Sequence, residues 1–314
     1  TMSLTKKIDF ALIIGVKNAN PNGDPLNGNR PRTDFEGNGE ITDVCLKRKI
    51  RDRLQEDGES IFVQSDEKKN DGMTSLKNRA YDENVGLGKK AFETKKGENL
   101  ESKRDATAKL ACDKWFDVRA FGQVFAFKAD DKSADGVSIP IRGPVTIQSA
   151  FSVQPVNITS NQIVKSVDSD DKEGKNARMG MKHRVDSGVY VAFGAMSPQL
   201  AERTGFSDAD AEKIKSVLTK LFEGDASSAR PEGSMQVLKL IWWEHNCKAG
   251  QYSSAKVHGK LRDLIEENLP AEKLLELITQ KDELEKKLTL KEDKQEFTQE
   301  GDKRELKPQI IDGF

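Results

Sequence analysis

Cysteine is scarce in this chain. Cys45, Cys112 and Cys247 are odd in number and far apart, which excludes a disulfide framework and the close ligand spacing of a zinc site. That usage fits a reducing cytoplasm. No apolar run approaches the length of a membrane span and the first residues carry no secretory pattern, so a soluble protein without a membrane partner is expected. Charge of one sign is also missing: 51 Lys and Arg stand against 52 Asp and Glu, a net −1. The molecule as a whole is therefore no basic nucleic-acid binder, and any such role falls to local patches. Gly86-Leu87-Gly88-Lys89-Lys90 lacks the first glycine spacing and the hydroxyl residue of a phosphate loop.

What is present is a polar chain of 314 residues, 33% charged, in which strand and helix patterns recur between solvated insertions. Pro144 to Val156 alternates Val145, Ile147, Phe151 and Val153 with Thr146, Gln148, Ser152 and Gln154. It reads as one long strand with a buried face and a polar face free for an extended polymer, entered through Arg142-Gly143-Pro144. Ile8 to Val16 is apolar on nearly both faces, as a central strand would be. Asn18 to Pro25 follows, a dense turn sequence whose amides suit an anion-holding nest. Thr42 and Asp43 cap a helix over Val44 to Leu54, which buries Leu46, Ile50 and Leu54. From Thr42 to Leu54 five bases face two acids, making it the best candidate for phosphate contacts in the N-terminal half.

Residues 60–109 read as a polar insertion, with helix only around Ala106 to Trp115, and Trp115 to Phe127 as a returning strand. Asn157 to Arg184 is a long polar excursion ending in the decapeptide Lys175 to Arg184, which has four Lys or Arg and no acid. Two methionines flanked by cations suit a hairpin arm that contacts phosphates and packs on bases. Further strands are expected at Val189 to Phe193 and Met235 to Trp243, with a helix from Ser207 to Gly224 between them. Past Lys256 the chain turns helical and acidic, a poor nucleic-acid site and a candidate subunit contact. The fold class expected is α+β, ferredoxin-like or RNA-recognition-like, with helices on one sheet face.

Five stretches carry a common pattern: Asn20 to Pro25, Thr42 to Asp52, Asp117 to Gly122, Arg142 to Val145 and Met179 to Val185. Together they resemble the backbone subunit of type I CRISPR Cascade complexes, a RAMP-superfamily protein, most like that of subtype I-C. The resemblance covers residues 6 to 250 and is weakest in the acidic C-terminal portion. It implies an RNA-recognition-like palm in three parts (6–59, 115–156, 186–250), a finger- or web-like insertion (60–114), a thumb-like hairpin (157–185) and a helical C-terminal region (251–314). It implies a protein that polymerises along a CRISPR RNA, displaces guide bases at intervals with its thumb, and leaves the rest free to pair with invading DNA. Its partners would be the guide, target DNA through the guide, further copies of itself and other Cascade subunits. No catalytic residue, metal or cofactor is expected. Carried over by position, Lys47, Arg48 and Arg51 would contact phosphates, while Asn20, Asn22 and Gly23 would shape the adjoining loop. Lys175, Arg178, Met179, Lys182 and His183 would belong to the arm or its base, and Arg142 and Gln148 are added from the polar strand face.

Two enzyme readings compete. A metal-dependent ribonuclease of the related RAMP backbone type would use Asp24 or Asp34. A loop carboxylate is also an ordinary turn residue, and the sequence has no paired-carboxylate or His-rich cluster for two-metal chemistry. A guide-processing nuclease would need His183, His245 or His258 beside a partner, and none is evident in the sequence.

Overall fold

The computed structural model describes residues 2–94, 99–127, 135–136, 138–164, 179–291 and 305–314. The first strand, β1 (Ile8–Ala19), organises everything else. Its side chains alternate, so Phe10, Leu12, Ile14 and Val16 enter one apolar cluster and Ala11 and Ile13 another. A strand apolar on both faces needs cover on both, and it has it.

After β1 come the two-residue strands β2 (Gly23–Asp24) and β3 (Arg30–Pro31), then β4 (Asn38–Ile41) and α1 (Asp43–Glu56). The segment expected to be mostly solvated holds α2 (Leu76–Tyr81), β5 (Glu93–Thr94) and α3 (Leu100–Lys114). It is not coreless. Phe62, Phe92, Trp115, Phe125 and Ile139 form a third cluster, with Phe62 4.7 Å from Trp115 and 5.0 Å from Phe125 between ring centroids.

The strand expected over Trp115 to Phe127 is instead a helix, α4 (Phe116–Phe121), followed by β6 (Gly122–Ala126). Helical spacing explains the difference. Phe116 and Ala120 enter the first sheet cluster, while Trp115 and Val118 enter the insertion's cluster, so one short helix bolts the two together. Gly122, at φ 81°, ends it. The next strand, β7 (Asp135–Gly136), pairs with β5, and β8 (Ser138–Arg142) pairs with β6.

The Pro144 to Val156 stretch is two strands, β9 (Val145–Ile147) and β10 (Ala150–Pro155). Their register to the partner strand shifts by one residue at Gln148-Ser149, from Ile147 opposite Gly194 to Phe151 opposite Val191. One extra residue exchanges the faces, so Ala150 and Ser152 are buried and Phe151 is 43% exposed. A hairpin follows, β11 (Ile158–Val164) against the outer part of β12 (Met179–Met196). Lys175 and Arg178 lie outside the described residues.

Next come α5 (Pro198–Thr204), which the sequence reading missed, and α6 (Asp208–Thr219), capped by Ser207 as expected but ending before Gly224. The last elements are β13 (Met235–Glu244), α7 (Ser254–Glu267), α8 (Ala271–Thr279), α9 (Lys281–Leu288) and β14 (Gln309–Asp312), an unforeseen edge strand. The antiparallel sheet runs β14-β13-β1-β12-β10-β4, with β9 and β11 also on β12. Helices α1 and α6 cover one face, and α7, α8 and α9 cover the other through Leu261, Leu274, Leu277 and Leu284. Helices on a single face were expected; Ala11, Ile13, Val191 and Ile241 require the second layer. Among the described residues no helix is long and apolar enough to cross a membrane.

Candidate nucleic-acid interface

The loop leaving β1 is shaped by its own side chains. Asn18 takes φ 54°, and Asn20, 3% exposed, donates from Nδ2 to the Asn29 carbonyl at 2.7 Å. Asn22 Oδ1 accepts from both the amide and the hydroxyl of Thr42, which ties the loop to the cap of α1. A Cβ on Gly23 would lie 2.0 Å from Asn29 Oδ1 and 3.0 Å from the Asn29 carbonyl oxygen, so any larger residue would have to displace Asn29. Asp24 accepts from the Leu26 amide at 3.2 Å and pairs with Arg32. Within the turn expected to form a nest, the Asn20 amide donates to the Ala229 carbonyl at 2.9 Å, and just beyond it the amides of Leu26, Asn29 and Arg32 donate to oxygens of the loop itself.

The basic helix is likewise turned inward. Arg48 binds Asp52 and the Val63 carbonyl, the latter at 2.6 Å; Arg51 binds Asp117 at 2.9 Å and lies over the Phe121 ring. Asp117 also accepts the amides of Phe62 and Val63, so these arginines hold the insertion onto α1. Lys49 is buried against Asp225, Arg53 pairs with Glu56, and Lys47 makes a surface pair with Asp43 at 3.1 Å. The positive face seen in the sequence is largely neutralised within the fold.

The polar side chains of the β9–β10 stretch have partners within the fold as well. Gln148 accepts from Arg262 of α7 at 3.2 Å, and Gln154 Oε1 accepts the first amide of α8 at 3.1 Å. The C-terminal helices thus engage two of the side chains expected on an open platform, while Thr146 and Gln148 remain exposed. Arg142 is exposed on β8, in the small sheet with β6.

The loop and the hairpin do converge. A cavity of about 380 Å³ is lined by Asn20 and Asn29 from the loop, Met181, Lys182 and His183 from β12, and Ala229 from the segment before β13. Three residues chosen from the sequence, Asn20, Lys182 and His183, meet here. Met179 stands 69% exposed farther out on the hairpin, beside Gln162 of β11. Arg30 Nη1 donates to Ser160 Oγ at 3.0 Å, and Ser160 Oγ lies 2.8 Å from His183 Nδ1. Asn20 Oδ1 has no hydrogen-bond partner, although the residue is buried. Sequence reasoning missed Arg30, Asn29, Ser160 and Ala229. The basic pair Arg30 and Arg32 was visible, but only the fold back of the loop gives it a role.

The other histidines have partners that the sequence did not disclose. His245 is fully buried, donates to Asp9 Oδ2 at 2.8 Å and accepts the Gln251 amide on Nδ1. His258 donates to the Gly194 carbonyl at 3.1 Å and lies 3.5 Å from Asp9 Oδ1. Burial pushes the Asp9 carboxyl up, but hydrogen bonds from His245 and Ser254 and the charge of Lys7 bring it below its ordinary value. Burial lowers the His258 imidazole, with Asp9 opposing. Asp34 accepts the amides of Glu36 and Asn38 and the Asn38 carboxamide, which, the last foremost, depress its carboxyl. Among the described residues no three His, Cys, Asp or Glu side chains gather as a metal site.

The family model for CRISPR-associated protein Cas7 matches residues 6–286. The chain belongs to the Cas7 family. A Haloferax volcanii protein described as CRISPR-associated protein Cas7 is 30% identical over 241 residues, covering 72% of this chain and 67% of its own. Among solved structures, a chain of a CRISPR RNA-guided surveillance complex in a pre-nicking state is 12% identical, with a TM-score of 0.39 over 76% of this chain and 78% of that one. A chain of a type III-B Cmr-beta complex bound to cognate target RNA is 9% identical, with a TM-score of 0.41 over 78% of this chain and 62% of that one. As a Cas7 protein the chain is a backbone subunit of a CRISPR effector complex and binds CRISPR RNA.

Proposed function

We propose that this Cas7 protein is the non-catalytic guide carrier of a type I, I-C-like Cascade in the cytoplasm, several copies lying side by side along one CRISPR RNA. The β11–β12 hairpin acts as the thumb: Lys182 meets a guide phosphate, Met179 and Met181 pack on displaced bases, and the remaining bases pair with invading DNA. The observation that carries this is the cavity where the Asn20 loop meets Lys182 and His183 of the hairpin. Phosphate contacts hold any spacer alike and leave specificity to base pairing, which is what a guide carrier needs.

The non-catalytic part is supported by where the candidate groups sit. Asp24 and Asp34 anchor their own turns, and His245 and His258 are buried against Asp9. Co-expression with a repeat–spacer transcript, followed by size exclusion with light scattering and RNA extraction, tests the assembly. A discrete RNA-bearing oligomer whose copy number rises with spacer length is expected; an RNA-free monomer, persisting with the neighbouring subunits present, would refute it. Labelled target RNA with Mg²⁺ should stay intact. Cleavage abolished by Asp24→Ala or Asp34→Ala would make the ribonuclease reading correct instead.

A further inference from the structure

The segment between β1 and α1 presents one aromatic ring outright. Phe35 is fully exposed at the tip of the turn that joins β3 to β4. Asp34 holds that turn by accepting the amides of Glu36 and Asn38 and the Asn38 carboxamide, and the Val156 amide donates to the Gly37 carbonyl at 3.0 Å. A braced turn thus displays the ring, between the carboxylates of Asp34 and Glu36. Carboxylates repel a phosphate chain, so the tip suits a partner that is apolar where the ring lands and cationic at its rim. The same chain carries such a surface. In the β6–β8 ribbon Phe125 and Ile139 turn into the insertion's core. The opposite face sets Val124, over half exposed, across from Pro140, with Gly122 and Arg142 on the next rung. Pro140 and Arg142 are exposed as well. The two surfaces are kept apart within one copy. Val145, just after β8, pairs with Met196 of β12, whereas Val156, bonded to the Phe35 turn, lies against Gly188, roughly 25 Å away along that strand.

We propose that the Phe35 turn of one copy seats on the outer face of the β6–β8 ribbon of the next, with the ring against Val124 and Pro140 and with Glu36 facing Arg142. The inference rests on the guide-carrying function and assigns the contact between neighbouring copies to these residues. The joined surfaces differ, so each added copy leaves one of each free for another, which builds an open array rather than a closed pair. Withdrawing the ring, Val124 and Pro140 from water supplies attraction, and the charge pair fixes the register.

The test uses the full chain and two RNAs, the shortest that binds one copy and one of twice that length, read by fluorescence anisotropy and light scattering. On the longer RNA the second wild-type copy should bind roughly tenfold more tightly than the first. Phe35→Ala should abolish that gain while leaving the affinity for the one-copy RNA and the melting temperature unchanged. Glu36→Arg and Arg142→Glu should each reduce the gain, and the two combined in one chain should restore it. Because the contact is head-to-tail, Phe35→Ala copies mixed with Val124→Asp copies should form a mixed pair on the longer RNA, although neither variant pairs with itself. A gain that persists in Phe35→Ala would overturn the proposal. So would weaker binding of that variant to the one-copy RNA, which would make Phe35 an RNA contact. Wild-type copies that occupy the longer RNA independently of each other would remove this contact and leave guide binding standing. A wild-type chain that binds neither RNA would defeat the guide-carrying function itself, and this contact with it.

Discussion

At the scale of single residues, sites in this protein are fixed by what surrounds them. Gly39 lies under Tyr190, whose hydroxyl would stand 2.1 Å from an added Cβ. Gly39→Ala should therefore cost about 1–3 kcal/mol of stability, read as a lower midpoint in urea, without a specific effect on RNA. Lys182 is different, being exposed at the cavity rim. Lys182→Ala should leave thermal stability unchanged and lower the salt slope of RNA binding by about one per copy. An unchanged slope would remove Lys182 from the phosphate path. The turn motif around Asn20 and Gly23 gives no local sign that Asn29, across the loop, packs against both.

At the scale of elements, α1 shows how a charge pattern misleads when its partners are distant in sequence. Arg48 and Arg51 read as a basic face because Asp117 and the Val63 carbonyl lie far along the chain or belong to its backbone. Arg51→Ala would leave the Asp117 carboxylate, 1% exposed, without its cation. A loss of about 3 kcal/mol is expected, with faster amide exchange across Phe62 to Val63 and an unchanged salt slope for RNA. A change in the slope with stability intact would return Arg51 to the RNA surface. The reading of Trp115 to Phe127 as a strand held over β6 and failed over Phe116 to Phe121 for a related reason. Alternating apolar residues buried on two sides satisfy a short helix between two clusters as well as a strand, and only the clusters distinguish them.

At the scale of the whole molecule, the C-terminal helical layer meets the sheet through a buried charge cluster. Asp9 of β1 joins Lys7, His245 at the end of β13, and His258 of α7, with Arg262 one turn farther on. Both lowered groups act in the same direction. A depressed carboxyl stabilises the fold above its unfolded value, and that contribution is lost as pH falls through the folded one; the same holds for a depressed imidazole. Stability should stay level above the ordinary imidazole value of 6.5, decline as pH falls below it and the His258 site resists protonation, and decline again when Asp9 protonates. His258→Gln should flatten the first decline in thermal melts at stepped pH, and an unaltered decline would remove His258 from the linkage. The sequence by itself determined β1 as a two-faced central strand, the caps and buried stripes of α1 and α6, the arm, and the family, because these rest on local periodicity, caps and contiguous motifs. Only the tertiary structure decided that the basic helix faces inward, that Gln148 and Gln154 bond to α7 and α8, that one extra residue exchanges the faces of β10, and that Asn20 and His183 line one cavity. Each depends on a partner distant in sequence or on a register set by a neighbouring strand, and neither leaves a local trace.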